Sequence, residues 1–372
     1  MANKQHHLHS KEARNFNLSH LFLMTSQAID ELFMMARWGS IAEQGCPRCG
    51  VFRRHYRRPA RLRWRCAECD HEFSVTSGTS LDAHKLGLPR LLLFAMQIEG
   101  TANGTSLHVL SRKAGVTPKT AQALMGKLRE GMINQTDLSP VKGVVHLDGA
   151  YFCGKPRKPN RRLGKLPPNA LKIRYGKQKP KNPDAPWIEM GMTRQNYERR
   201  ANKRVVMSIC ESAGSGAGSG RALAFVARSE NAADAKIFAK HFIAPGSMLM
   251  TDENNAFTVL AAYHDHYVVC HAQEFSTPEG VNNNMSESFN SRMRRAEYGV
   301  HHGYRPKYLQ DRASESAWRE NWRRASQRER VEQILKIWLT SPHSKWWRGY
   351  WQGNHRDGEL TIDYFVKRQK EK

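Results

Sequence analysis

Three carboxylates are the residues of this chain whose surroundings most clearly promise chemistry. Asp148 lies inside the apolar run Val144-Val145-His146-Leu147-Asp148-Gly149-Ala150-Tyr151-Phe152. Asp252 ends a second run, Ser247-Met248-Leu249-Met250-Thr251-Asp252, and Glu287 opens the helical pattern Asn284-Met285-Ser286-Glu287-Ser288-Phe289. A carboxylate among apolar neighbours is costly unless a cation pairs with it, either a basic side chain or a metal. Three such groups can hold two hard cations ~3.5–4 Å apart, an arrangement suited to phosphodiester chemistry. Singly, each has a plainer explanation. Asp252 suits a strand-end turn, and Asn284 with Glu287 has the spacing of a capping box.

Thiols form a second constellation. Cys46-Pro47-Arg48-Cys49 and Cys66-Ala67-Glu68-Cys69 are two C-x-x-C pairs with sixteen residues between them. Tetrahedral zinc takes four thiolates from two tight turns, and this spacing is that of a zinc ribbon. Two structural disulfides or free thiols are the other readings. Arg53, Arg54, Arg57, Arg58, Arg61, Arg63 and Arg65 lie between the pairs and favour contact with a polyanion.

The bulk composition agrees with such a partner. Of 372 residues, 59 are Lys or Arg and 34 are Asp or Glu, a formal net charge of +25. That excess points to nucleic acid first and an anionic membrane surface second. Hydrophobic content of 40% marks a folded chain rather than a disordered one. No run of about 18 apolar residues is present, so no membrane span is expected. The first residues show no apolar signal region, and the expectation is a cytoplasmic protein associated with DNA.

The elements that must position these groups follow from periodicity. Residues 1–40 read as a polar arm and a helix from Phe16 to Trp38, with Ile29, Leu32, Phe33 and Ala36 on one face and Ser26 as a cap. Residues 41–85 hold the ribbon. In 86–135, Leu107, Leu110 and Ala114 face one way, Gly115 turns the chain, Thr117 caps and Pro118 opens the next helix. Helix, glycine turn, helix is the helix-turn-helix pattern, and Lys119, Thr120 and Gln122 would then face a DNA groove. Residues 140–325 alternate strands and helices: strands at Val144–Phe152, Arg204–Cys210, Ala222–Ala227, up to Asp252 and at Tyr267–His271, with a helix from Asn231 to about Phe242. That order predicts an α/β fold with a mixed sheet flanked by helices. An insert over 154–203 is basic, with eleven Lys or Arg and no acid from Lys155 to Lys181. Arg292, Arg294 and Arg295 make the helix after Glu287 basic, and 326–372 is a basic, aromatic tail in which Trp338, Trp346, Trp347 and Trp351 suit packing onto a core or stacking on bases.

With these residues in view, the chain resembles bacterial insertion-sequence transposases that carry an N-terminal zinc ribbon, the insertion-sequence group numbered fifteen ninety-five. The resemblance is carried by the paired cysteines, Phe73-Ser74-Val75-Thr76-Ser77-Gly78-Thr79, the two-helix unit, Leu147-Asp148-Gly149-Ala150-Tyr151-Phe152, Thr251-Asp252-Glu253, His271, Asn284-x-x-Glu287-Ser288-Phe289 and Tyr298-Gly299-Val300-His301-His302. It spans roughly residues 16–325 and implies an RNase H-like catalytic domain of DDE type that uses Mg2+ or Mn2+. Asp148, Asp252 and Glu287 are then the metal ligands, and His271 and Asn284 match positions near the site. Some relatives place Asn in the third acid's role, which keeps Asn284 beside Glu287 as a candidate. The implied activity is cleavage at the terminal inverted repeats of a mobile element and transfer of the freed 3′ end to target DNA. Double-stranded DNA is the implied partner, and joining two ends implies at least a homodimer. A nuclease or resolvase of the same fold without strand transfer, and a regulator with a dead catalytic domain, are the rival functions.

Overall fold

The structure, a computed structural model, describes residues 10–154, 194–214, 218–269 and 281–371. Helices α1 (Leu18–Leu23) and α2 (Ser26–Trp38) replace the single helix expected over this stretch. The break has a local cause. Met24 and Thr25 are extended, and the Thr25 hydroxyl accepts from the Ala28 N–H at 3.1 Å, so Thr25 rather than Ser26 caps α2. Ile29, Leu32 and Phe33 are buried on its inner face, and Ala36 is half-buried.

The ribbon follows as the hairpin β1 (Gln44–Gly45) and β2 (Phe52–Arg53), then the antiparallel strands β3 (Tyr56–Arg58), β4 (Arg63–Arg65) and β5 (Glu72–Ser74). Alternation along β4 buries Trp64 and exposes Arg63 and Arg65. Trp64 stacks on Phe73 with centroids 6.0 Å apart, and Trp38 meets Trp64 edge-on at 5.2 Å. The Arg37 guanidinium donates to the Ser74, Val75 and Ser77 carbonyls, which ties α2 to the end of the ribbon.

Helices α3 (Leu88–Glu99), α4 (Leu107–Ala114) and α5 (Pro118–Gln135) come next. Gly115 takes the left-handed conformation, φ 60°, that ends α4 at no steric cost, and Thr117 accepts from the Thr120 N–H at 3.2 Å to start α5. These helices share one core with α2 and the ribbon. Phe33, Trp64, Phe73, Leu92, Leu110 and Leu128 pack in it with Ile334 and Trp338. The last two lie on α10 (Gln327–Thr340), so the C-terminal segment supplies part of the N-terminal core.

Strand β6 (Val144–Phe152) is the axis of the larger sheet. With β7 (Arg204–Ser212), β8 (Ser219–Ala227), β9 (Met248–Asp252) and β10 (Asp265–Val269) it forms a five-stranded sheet in the order β10-β9-β6-β7-β8. Pairs β6–β7 and β7–β8 are antiparallel; β6–β9 and β9–β10 are parallel. A short helix, α6 (Arg194–Asn202), leads into β7. Period-two alternation splits the sheet into two buried faces. Val145, Leu147, Met207, Ile209, Leu223 and Phe225 face α7 (Ala232–Phe242) and α11 (Ile362–Lys370) through Phe238, Phe242 and Phe365. Ala150, Phe152, Val206, Cys210, Ala222 and Val226 face α8 (Asn284–Arg295) and α9 (Leu309–Asn321) through Phe289, Met293, Leu309 and Ala313. Of the basic insert over 154–203, residues 155–193 lie outside the described residues.

A buried charge cluster joins the helical unit to the sheet. Glu315 of α9 accepts from Arg129 of α5 at 2.7 Å and from Arg319 at 2.9 Å, with Arg312 at 3.6 Å. The three guanidinium groups hold the Glu315 carboxyl well below the usual range despite its full burial.

Candidate active site and metal centre

The four ribbon cysteines converge. Their sulfur atoms all lie within 4.8 Å of one another, with Cys46 to Cys69 at 3.7 Å and Cys49 to Cys66 at 3.6 Å. Zn–S bonds of about 2.3 Å in a tetrahedron give S···S edges of about 3.8 Å, so the set fits a structural zinc and is too open for disulfides. Cys46 follows β1 and Cys66 follows β4, each in a strand-end turn closed by a backbone bond, Cys46 N–H to Val51 O at 3.0 Å and Cys66 N–H to His71 O at 2.9 Å.

The acidic site forms where β9 stops pairing with β6. The last matched residues are His146 and Met250. Two residues further along each strand stand Asp148 and Asp252, level with each other and on the same side of the sheet as His146 and Met250. Beyond that level β6 continues alone to Phe152 on this edge. A crevice between parallel strands at their carboxyl ends is the usual ligand position in such sheets.

Helix α8 crosses the same place and is fastened by polar side chains. Ser286 Oγ donates to His146 O at 2.8 Å, Asn283 Nδ2 to Leu147 O at 3.1 Å, and Asn290 Nδ2 to Asp148 Oδ2 at 2.8 Å. Positions 283, 286 and 290 form the sheet-facing stripe, and Glu287 adjoins it, half-buried, one turn after Asn283. The capping-box explanation for Glu287 does not hold. The N-cap is Asn283, its side chain makes no cap bond, and Asn284 is exposed at the first helical position.

Among the described residues, the acids of the site act on one another. Burial pushes the Asp148 carboxyl up to about 6; the Asn290 amide opposes this, while the charges of Asp252 and Glu230 add to it. Glu230 is raised as well, by burial and then by Asp252, against hydrogen bonds with Tyr151 and Asn254 and the charge of Arg294. Asn290 Oδ1 is buried with no hydrogen-bond partner. Carboxylates that repel one another beside an unmatched acceptor form a donor set that suits a hard divalent cation. The set is open: among the described residues, the cysteines are the one group of three or more potential ligands within 4.8 Å of one another.

The other sequence-picked residues divide clearly. Lys119 is exposed at the start of α5, while Thr120 and Gln122 are half-buried. The Lys119 ammonium lies 5.2 Å from the Trp351 ring centre, and Trp351 Nε1 donates to Lys119 O at 3.2 Å. Arg294 and Arg295 are exposed on α8, but Arg292 is engaged by the buried carboxylate of Glu320. His271 lies outside the described residues. Sequence reasoning passed over Asn290 and Glu230. Gly149 was the available signal for Glu230, since a glycine inside a strand marks a close approach. A Cβ there would lie 2.8 Å from Glu230 Cδ.

Among the described residues no helix is long and apolar enough to cross a membrane. No curated protein and no solved structure matches the chain. Family models do match: residues 24–72 match a transposase zinc-ribbon domain and residues 140–321 match an ISXO2-like transposase domain. The first match holds the cysteine set, and the second holds every acid of the β6–β9 crevice. With both signatures in order on one polypeptide, the chain belongs to the ISXO2-like transposase family.

Proposed function

We propose that this protein is a DDE-type DNA transposase that binds the ends of a mobile element, cleaves a phosphodiester there and transfers the end to target DNA. The observation that supports the reading is that Asp148 and Asp252 each stand two residues beyond the last paired residues of β6 and β9, beside the helix that carries Glu287 and whose Asn290 bonds Asp148. Three antiparallel strands followed by two parallel ones, with the acids on the central pair, support an RNase H-like core.

Asp148, Asp252 and Glu287 would hold Mg2+ or Mn2+, with Asn290 keeping the Asp148 carboxylate turned toward the crevice. The bound cations supply charge neutralisation at the attacking and leaving oxygens of an in-line displacement. Asp148 would bind them in its ionised form, so its raised pKa makes cation binding weaken as the pH falls. Exposed Arg294 and Arg295 line the approach and suit DNA phosphates. Lys119, with the start of α5, suits groove contact in a helix-turn-helix, and the arginine-rich ribbon adds a second basic surface. Two ends must be joined to one target, so the working form is at least a dimer.

The test incubates the protein with Mg2+, a labelled duplex carrying the inverted repeat that flanks its gene, and a supercoiled plasmid. A transposase yields label covalently joined to plasmid, and Asp148→Asn yields none. Cleavage without joining would reduce the reading to a nuclease. Binding without any Mg2+-dependent product would reduce it to a DNA-binding regulator.

A further inference from the structure

We propose that Glu230 is a fourth carboxylate of the site, a ligand to the divalent cation reaching it from the sheet face opposite Glu287. The inference rests on the reading of Asp148, Asp252 and Glu287 as the cation-holding acids, and it adds a residue that reading does not contain.

Glu230 stands in the loop between β8 and α7, far in sequence from the other acids. Its placement is nonetheless specific. The carboxylate lies against Gly149, the residue after Asp148, so closely that any Cβ at 149 would overlap it. Tyr151, three residues after Asp148, and Asn254, two after Asp252, stand near enough to it to favour its charged form. Asn254 in turn donates its backbone N–H to Asp252 Oδ1 at 3.2 Å. Glu230 is therefore held between the two aspartate-bearing segments, at the gap where β9 leaves β6.

The faces are complementary. Gly149 belongs to the side of the sheet covered by α7, and α8 with Glu287 covers the other. The two glutamates thus close on the strand edge from opposite sides, with the aspartates between them. Asn290 Oδ1, buried and without a hydrogen-bond partner beside the Asp148 carboxylate, is an independent observation that points to a polar ligand at these acids. Hard cations take six or more oxygen ligands, which leaves room for a fourth carboxylate.

The experiment measures Mn2+ binding by the zinc-loaded full chain, using the electron paramagnetic resonance signal of free Mn2+. Wild type, Glu230→Gln, Glu230→Asp, Gly149→Ala and Asp148→Asn are compared, with zinc content and thermal unfolding as folding controls. Glu230→Gln is expected to weaken Mn2+ binding at least tenfold at unchanged zinc content, with Glu230→Asp recovering part of the loss. Gly149→Ala is expected to match Glu230→Gln, because the new methyl displaces the carboxylate without removing it, and this holds as a test even if Glu230→Gln folds poorly. The Mg2+ concentration for half-maximal strand transfer should rise in step. Wild-type Mn2+ affinity in both Glu230→Gln and Gly149→Ala, with binding abolished in Asp148→Asn, overturns the role of Glu230 alone. Absence of Mn2+ binding by the wild type overturns the site reading and this inference with it.

Discussion

Replacing Asp148 by Asn should make the cation-free protein more stable while abolishing its catalysis. Asp148 is half-buried near Asp252 and Glu230, and its carboxyl is lifted from an ordinary 3.8 to about 6. At neutral pH it is ionised in both folded and unfolded chains, so the lift is a cost of folding, about 3 kcal/mol at 1.36 kcal/mol per pH unit. The sign follows from the two protonation curves. Below about pH 4 the carboxyl is protonated in both states and the cost vanishes; it grows between pH 4 and 6 and is complete above 6. Asn has the same shape, carries no charge and can still accept from Asn290 Nδ2. Urea unfolding at pH 7.5 without Mg2+ should therefore show Asp148→Asn more stable by about 3 kcal/mol, with the difference closing by pH 4. Added Mg2+ should stabilise the wild type and leave the variant unmoved. A variant destabilised at pH 7.5, or a difference that does not depend on pH, would refute the assignment of Asp148 as a strained carboxylate waiting for a cation.

Further outcomes test separate parts of the structure. The purified protein should carry one zinc per chain by elemental analysis, and Cys66→Ser should lose it together with the order of the Trp64–Phe73 stack, seen as a change in near-ultraviolet circular dichroism. Divalent-cation affinity should rise with pH and be about tenfold weaker at pH 5 than at pH 7.5 by titration calorimetry, since a carboxyl with a pKa of about 6 is mostly protonated at the lower value. Glu315→Gln should cost roughly 3–5 kcal/mol in denaturant unfolding, because Arg129, Arg312 and Arg319 would be left buried around a neutral group. A loss below 1 kcal/mol would show that water already serves those guanidinium groups.

Local pattern carried much of this molecule. The apolar runs at Val144–Phe152, Arg204–Cys210 and Ala222–Ala227 make three strands legible, and the structure carries the second on to Ser212 and begins the third at Ser219. The cysteine spacing gave the metal set because two tight turns constrain their own thiols. Contacts between remote segments were not legible. Nothing local in Gln327–Thr340 says that Trp338 completes a core begun by Phe33, or that Nε1 of Trp338 donates to Leu124 O at 3.2 Å. Glu230 escaped for the same reason, since its meaning depends on Gly149, Tyr151 and Asn254. The helix break at Met24–Thr25 was missed for a smaller one: Thr25 and Ser26 are both good caps, and apolar spacing does not choose between neighbours.

The most direct test is crystallographic. Crystals soaked in Mn2+ should show anomalous scattering peaks in the crevice between β6 and β9, bounded by Asp148, Asp252 and Glu287, with carboxylate oxygens about 2.2 Å from the ions. Strong peaks confined to other acids, or a Glu287 carboxylate turned away from occupied Asp148 and Asp252, would contradict the proposed three-acid site and the mechanism proposed on it.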